Sequence, residues 1–181
     1  MQVVTLATKA VSPLTKASDG CAFDPTWSKT NTFVVYIDQC AAAGGTRTVR
    51  KVSLPSGTVS TVVPVGGISI GGVTYTYDSG RADVTPDGTK VVWRYDTDLD
   101  DGGLAVTSPT GTGFRSVAED MVGVIDGSPA ISPDGRTVVT GYGWENSQIQ
   151  SFCLASPCGS FYYDIPNDST WVKSLDWQPL P

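Results

Sequence analysis

Apolar and polar positions along this chain fall into short runs broken by turns, and one arrangement recurs. Ala82-Asp83-Val84-Thr85-Pro86-Asp87-Gly88-Thr89-Lys90-Val91-Val92 matches Pro129-Ala130-Ile131-Ser132-Pro133-Asp134-Gly135-Arg136-Thr137-Val138-Val139 at a shift of 47 residues. Each copy has a short strand-like stretch, then Pro-Asp-Gly, then a strand carrying Val-Val. In that turn proline presets φ, aspartate bonds to nearby backbone and glycine accepts a positive φ, so each copy predicts a hairpin. Two weaker copies flank them. Pro25-Thr26-Trp27-Ser28 parallels Pro129–Ser132, Lys29-Thr30-Asn31 replaces Pro-Asp-Gly, and Phe33-Val34-Val35-Tyr36 continues as the second strand. Leu175-Asp176-Trp177-Gln178-Pro179 repeats the first strand alone. The equivalent apolar position falls at Trp27, Val84, Ile131 and Trp177, in steps of 57, 47 and 46. The longer first step places about ten extra residues in the glycine-rich stretch Gly66 to Gly72.

A period of 40 to 50 residues with four strands per unit is the pattern of propeller blades. The expected fold is all-β: antiparallel four-stranded blades in an incomplete ring of about three blades, with one extra strand at each end. Blade one covers about 25–80, blade two about 81–127 and blade three about 128–171, with a closing strand at 172–181. Blade two would run Arg81–Thr85, Thr89–Asp96, Gly103–Ser108 and Phe114–Glu119. Blade three would run Ser128–Ser132, Thr137–Tyr142, Gln148–Leu154 and Ser160–Ile165. Gln2–Ala10 would be the outer strand of a preceding blade, and Val172–Gln178 the inner strand of a following one. Trp27 and Trp177 are expected as core between blades, and Trp93 as packing within its strand. "ISPDGRTVV" and "VTPDGTKVV" resemble the repeats of TolB-like propellers, and "LDWQPLP" resembles the way many such chains end. That resemblance covers roughly residues 25 to 181. It implies a fold more than a function, because such propellers serve as binding platforms, enzyme scaffolds and domains preceding peptidases.

Composition agrees with strands and turns. There are 22 Val and 21 Thr, and 16 of the 18 acidic residues are Asp, which favours turns over helix interiors. The net charge of −6, without basic clusters, argues against nucleic acid, whose phosphates need grouped Lys and Arg. No apolar run reaches the length of a membrane-spanning helix. Met1–Ala10 lacks the basic start and apolar middle of a signal peptide, so an export signal would already have been removed. Four cysteines, Cys21, Cys40, Cys153 and Cys158, allow three pairings. The blade assignment favours 21 with 40, on one face of blade one, and 153 with 158, across a short hairpin. Paired cysteines and scarce Lys suit a secreted or periplasmic protein.

Candidate chemistry is thin. Gly67-Ile68-Ser69-Ile70-Gly71 matches the nucleophile-elbow pattern, but that motif needs a following helix and a histidine base. The chain has no histidine, which also removes Cys-His catalysis and His-based zinc sites. Asp96, Asp98, Asp100 and Asp101 precede Gly102 in the manner of a calcium loop, yet no Glu stands at the twelfth position. Calcium is the one metal this pattern suggests; no other cofactor is expected. A glycosidase would need paired carboxylates. Asp83 and Asp176 share an inner-strand position, but Ala130 and Thr26 occupy it in the other blades. The expected ligand rim gathers Tyr142, Trp144, Glu145, Asn146 and Trp171 beside the acidic loop.

The leading reading is a non-enzymatic binding or scaffolding propeller that meets a protein or glycan partner. Its ring would close by homo-oligomerisation or with further blades of a longer chain. The alternatives are a glycan-active or other enzyme scaffold, and a structural subunit that assembles through open strand edges.

Overall fold

The computed structural model describes residues 1–16, 19–40, 47–99, 102–118, 128–142, 148–155, 158 and 161–164. Among these there is no α-helix, and the strands form antiparallel sheets. The N-terminal hairpin consists of β1 (Gln2–Thr5) and β2 (Ala10–Pro13). The first four-stranded sheet follows as β3 (Ala22–Trp27), β4 (Phe33–Asp38), β5 (Thr48–Ser53) and β6 (Val59–Val63), in sequence order. The second sheet holds β7 (Ile68–Ile70), β8 (Val73–Tyr77), β9 (Asp83–Val84), β10 (Val91–Thr97), β11 (Gly102–Thr107) and β12 (Arg115–Ala118). The third holds β13 (Ala130–Ile131), β14 (Thr137–Tyr142), β15 (Gln148–Cys153) and β16 (Tyr162–Asp164), again in order.

These are propeller blades in an incomplete ring. Because side chains alternate across a strand, the first and second sheets each carry apolar residues on both faces. Val35, Ile37 and Val49 on one face of the first sheet share a core with Val84, Val91 and Trp93 of the second. Val92, Leu104 and Val106, on the second sheet's other face, share a core with Ile131, Val138 and Leu154 of the third.

The repeated turn is one construction used three times. In the second sheet Thr85 N–H donates to the Lys90 carbonyl (3.0 Å), Gly88 N–H to the Thr85 carbonyl (2.8 Å), and Thr85 Oγ1 to Asp87 (2.6 Å). Ser132, Asp134 and Gly135 reproduce this in the third sheet. In the first, Ser28 N–H donates to Phe33 (3.0 Å) and Asn31 N–H to Ser28 (2.9 Å). Asn31 takes the left-handed place at φ 56°, as Gly88 does at 72° and Gly135 at 73°.

Two expectations about strands are corrected. Gln2–Ala10 is not one outer strand. Thr8 N–H and Lys9 N–H both reach the Thr5 carbonyl, at 3.2 and 2.7 Å, and fold the segment into the β1–β2 hairpin. Met1 and Leu14, at its ends, pack on Val34, Tyr36 and Val52 of the first sheet. The inner edge of the second sheet is also divided. β9 pairs with the start of β10 at Val91 and Val92, while β8 pairs with its end from Tyr95 to Thr97. The extra residues of the first step form the β7–β8 hairpin. Its two-residue loop, Gly71-Gly72, has φ of 61° and 88°, the double positive φ that such tight hairpins require.

Candidate functional site

The strands that begin each repeat, β3, β9 and β13, are joined by side-chain ties. Thr26 Oγ1 donates to the Ala82 carbonyl at 2.8 Å, linking the first sheet to the second. Asp83, the equivalent residue one repeat later, accepts from Ile131 N–H at 2.8 Å and links the second to the third. Its other oxygen accepts from Val84 N–H at 2.8 Å. At the same place in the third sheet, Ala130 has no polar side-chain atom. A catalytic carboxylate pair would need Asp83 turned to a substrate. Instead, main-chain N–H groups hold both of its oxygens, and Asp176 lies outside the described residues.

Beside these ties is a cleft of about 240 Å³ lined by Pro25, Thr26, Trp27, Lys29, Arg81, Asp83, Val84 and Ile131. Lys29 and Arg81 outnumber the one carboxylate. Arg81 Nε is buried and has no hydrogen-bond partner, a costly arrangement for a charged donor unless a ligand completes it. Trp27 is 47% exposed, which corrects its expected place as core between blades. It pairs across the sheet with Val34, on the face that Met1 and Leu14 cover only in part. The cleft therefore offers an aromatic surface, two cations, a hydroxyl and one carboxylate that accepts from two main-chain N–H groups.

A second polar cluster is structural. Asp38, fully buried, lies 3.2 Å from Arg50 Nε without hydrogen-bond alignment. Its other oxygen accepts from Cys21 N–H (3.0 Å) and Cys40 N–H (2.9 Å). Burial raises the Tyr36 phenol above its ordinary value against the opposing pull of Arg50. This buried network braces the corner where Cys21 is bonded to Cys40, with Cα atoms 5.2 Å apart. Cys153 is bonded to Cys158 at 5.7 Å, and no cysteine is free.

The expected rim lies largely outside the described residues. Asp100, Asp101, Trp144, Glu145, Asn146 and Trp171 all fall there. Tyr142 ends β14 opposite Gln148. Asp96 sits in β10, paired with Thr76 and Gly102, and Asp98 accepts from Thr74 N–H at 3.2 Å. Among the described residues, no group of three or more His, Cys, Asp or Glu is placed to hold a metal ion. Ser69 lies in β7, within hydrogen-bond distance of Thr74 Oγ1 at 3.1 Å. A strand follows it rather than a helix, so the nucleophile-elbow reading is removed. Among the described residues, no helix is long and apolar enough to cross a membrane.

Stacked antiparallel sheets of four, six and four strands, tied through β3, β9 and β13, and a repeated Pro-Asp-Gly turn define a partial β-propeller of TolB-like fold. No family model and no curated protein matches the sequence. Among solved structures, the fold is similar to a protein of Agrobacterium tumefaciens described as TolB (TM-score 0.61, 13% identity, 80% of this chain and 50% of that one). It is similar to the β-propeller domain of the Trilobed protease of Pyrococcus furiosus, which has an open velcro topology (0.57, 15%, 81% and 43%). It is also similar to oligogalacturonate lyase of Vibrio parahaemolyticus (0.58, 12%, 90% and 55%). The chain thus spans about half the length of these propellers. At such identities the likeness concerns the fold, which here is shared by enzymes and by proteins of other kinds.

Proposed function

We propose that this chain is a non-enzymatic binding and scaffolding segment of an exported β-propeller. It meets a protein partner at the cleft beside β3, β9 and β13, and its ring is completed by a second copy or by further blades of a longer chain. The observation that carries the reading is the use of Asp83. Its carboxylate is committed to the Val84 and Ile131 N–H groups, while Trp27, Lys29 and Arg81 beside it face open space in the cleft. Aromatic and arginine side chains on a rigid frame are the usual anchors of protein recognition. Two disulfides support an oxidising compartment.

The test has two arms. A photo-crosslinking phenylalanine at Trp27 should give a discrete adduct with the host's exported proteins, and Arg81→Gln should abolish it. Equal labelling from the same group at Leu99, which is exposed and distant in sequence, would remove the cleft as the binding site. In parallel, a turnover screen on glycans and peptides should give no activity. Turnover that Asp83→Asn abolishes would replace this reading with the enzyme one.

A further inference from the structure

Away from β3, β9 and β13, a groove of about 790 Å³ crosses the seam between the second and third sheets. That size is within the range that holds a small organic ligand. Val106 and Leu154, which belong to the core joining the two sheets and are only 4% and 3% exposed, form its floor, and the half-buried Phe114, whose ring packs towards Tyr75 and Trp93, stands at its edge. Lys90 Nζ and Arg115 Nη2 donate to a single oxygen there, the Leu154 carbonyl, at 3.5 and 2.9 Å. The two cations therefore stand no farther apart than the sum of those lengths, which a carboxylate can bridge.

Among the described residues no Asp or Glu lines the groove, although the chain's formal charge is −6. Asp87 responds to Lys90, but its hydrogen bonds go to Thr85 and Thr89. Ser108 and Thr112 are within 2.9 Å of each other and satisfy one another. One neutral carbonyl thus receives two full charges. Guanidinium has five N–H donors and ammonium three, so both keep donors to spare. The Cys153–Cys158 bond ties the segment that carries Leu154.

We propose that this groove binds an amphiphilic carboxylate. The carboxylate bridges Lys90 and Arg115 through charge-assisted hydrogen bonds, with arginine offering its planar fork, and the apolar tail runs along the groove past the exposed edge of Phe114.

Calorimetric titration of the intact protein with octanoate tests this. Saturable one-to-one binding is expected, at least about ten-fold tighter than 1-octanol, a difference of about 1.4 kcal/mol, and weaker at high salt. Lys90→Gln and Arg115→Gln should each weaken octanoate about ten-fold or more without changing octanol. Arg81→Gln, in the other cleft, should change neither. Octanol binding as well as octanoate, octanoate binding indifferent to both substitutions, or no saturable binding would each overturn the proposal. Should either variant fail to fold, the octanoate–octanol contrast and its salt dependence on the unaltered protein still decide it.

Discussion

Val84 and Ile131 occupy the same place in the second and third sheets, and each is buried in the core shared with the sheet before it, at 4% and 5% exposure. Trp27 holds that place in the first sheet and is 47% exposed. The cross-strand partners are equivalent: Val34 for Trp27, Val91 for Val84, Val138 for Ile131. What differs is the neighbour. The β1–β2 hairpin reaches Val34, Tyr36 and Val52 through Met1 and Leu14, and Trp27 stays uncovered. A repeated apolar position therefore encodes a place in a blade. Whether that place is dry depends on what stands next to it.

The largest effect should come from the covered side. Ile131→Ala should cost about 2–5 kcal/mol in denaturant unfolding, the range for large-to-small changes in a packed core. A cost below about 1 kcal/mol would mean that the second and third sheets are not packed as described. Next come the disulfides. Replacing Cys21 and Cys40 by Ser removes a link across 19 residues and should cost about 3 kcal/mol. The Cys153–Cys158 link spans five and should cost about 2 kcal/mol, by loop-closure entropy. Thermal unfolding with and without reductant would check the order.

A smaller effect is expected at the ties. Asp83→Ala leaves the Ile131 N–H without its charged acceptor and should cost about 1–3 kcal/mol. Amide exchange at Ile131 should speed up, because that bond crosses between sheets. Thr26→Val removes a neutral tie and should cost about 0.5–1.5 kcal/mol. Equal effects at the two sites would erase the distinction between the two seams.

These residues also show what a sequence can disclose. The Ser28–Phe33 turn was legible despite its changed letters, because Asn tolerates the left-handed conformation that Gly supplies elsewhere. The β1–β2 hairpin was not legible, since Leu6-Ala7-Thr8-Lys9 has neither Gly nor Pro to mark a turn. Of the β7–β8 hairpin, the excess length and the strand at Gly72–Tyr75 were legible, and its pairing with β10 was not. Asp83 and Thr26 could be placed in equivalent slots, yet their partners lie 48 and 56 residues away on other sheets, beyond any local pattern. Arg81 gave no sign at all: an orphaned buried Nε exists only once the chain is folded. The groove at Lys90 and Arg115 was equally hidden, because Lys90, just before β10, and Arg115, in β12, meet on a carbonyl just past β15.

Acid should separate the sheets by their turns. Hydrogen bonds from Thr85 and Thr89 hold the Asp87 carboxyl below its ordinary 3.8. Those from Ser132 and Arg136 do the same for Asp134. A folded-state value below the unfolded one stabilises the fold above the ordinary pKa, and that gain is lost as pH falls through it. The first sheet has Thr30 at this place, within 3.1 Å of Ser28 Oγ, and nothing there titrates. Amide exchange below about pH 4 should therefore loosen the second and third turns before the first. Asp87→Asn with Asp134→Asn should flatten the acid limb, though both groups are too exposed for a large effect.

The smallest expected effect is the most informative. In a chain whose first sheet is open, Trp27→Ala should change unfolding stability by no more than about 0.5 kcal/mol, the usual bound for a surface site. Its emission should resemble that of a wet indole, whereas Trp93 is fully buried. Both readings depend on nothing else covering that face. If two copies complete one ring, light scattering should give twice 19.0 kDa. The cost of Trp27→Ala should then rise with protein concentration towards that of Ile131→Ala, because association stabilises only what it binds. A cost that is large at every concentration, at a mass of one chain, would mean that the chain covers Trp27 by itself, and the contrast between the first sheet and its followers would be lost. A cost that stays near zero at all concentrations leaves Trp27 free for a partner of another kind, which is the state that crosslinking from the cleft requires.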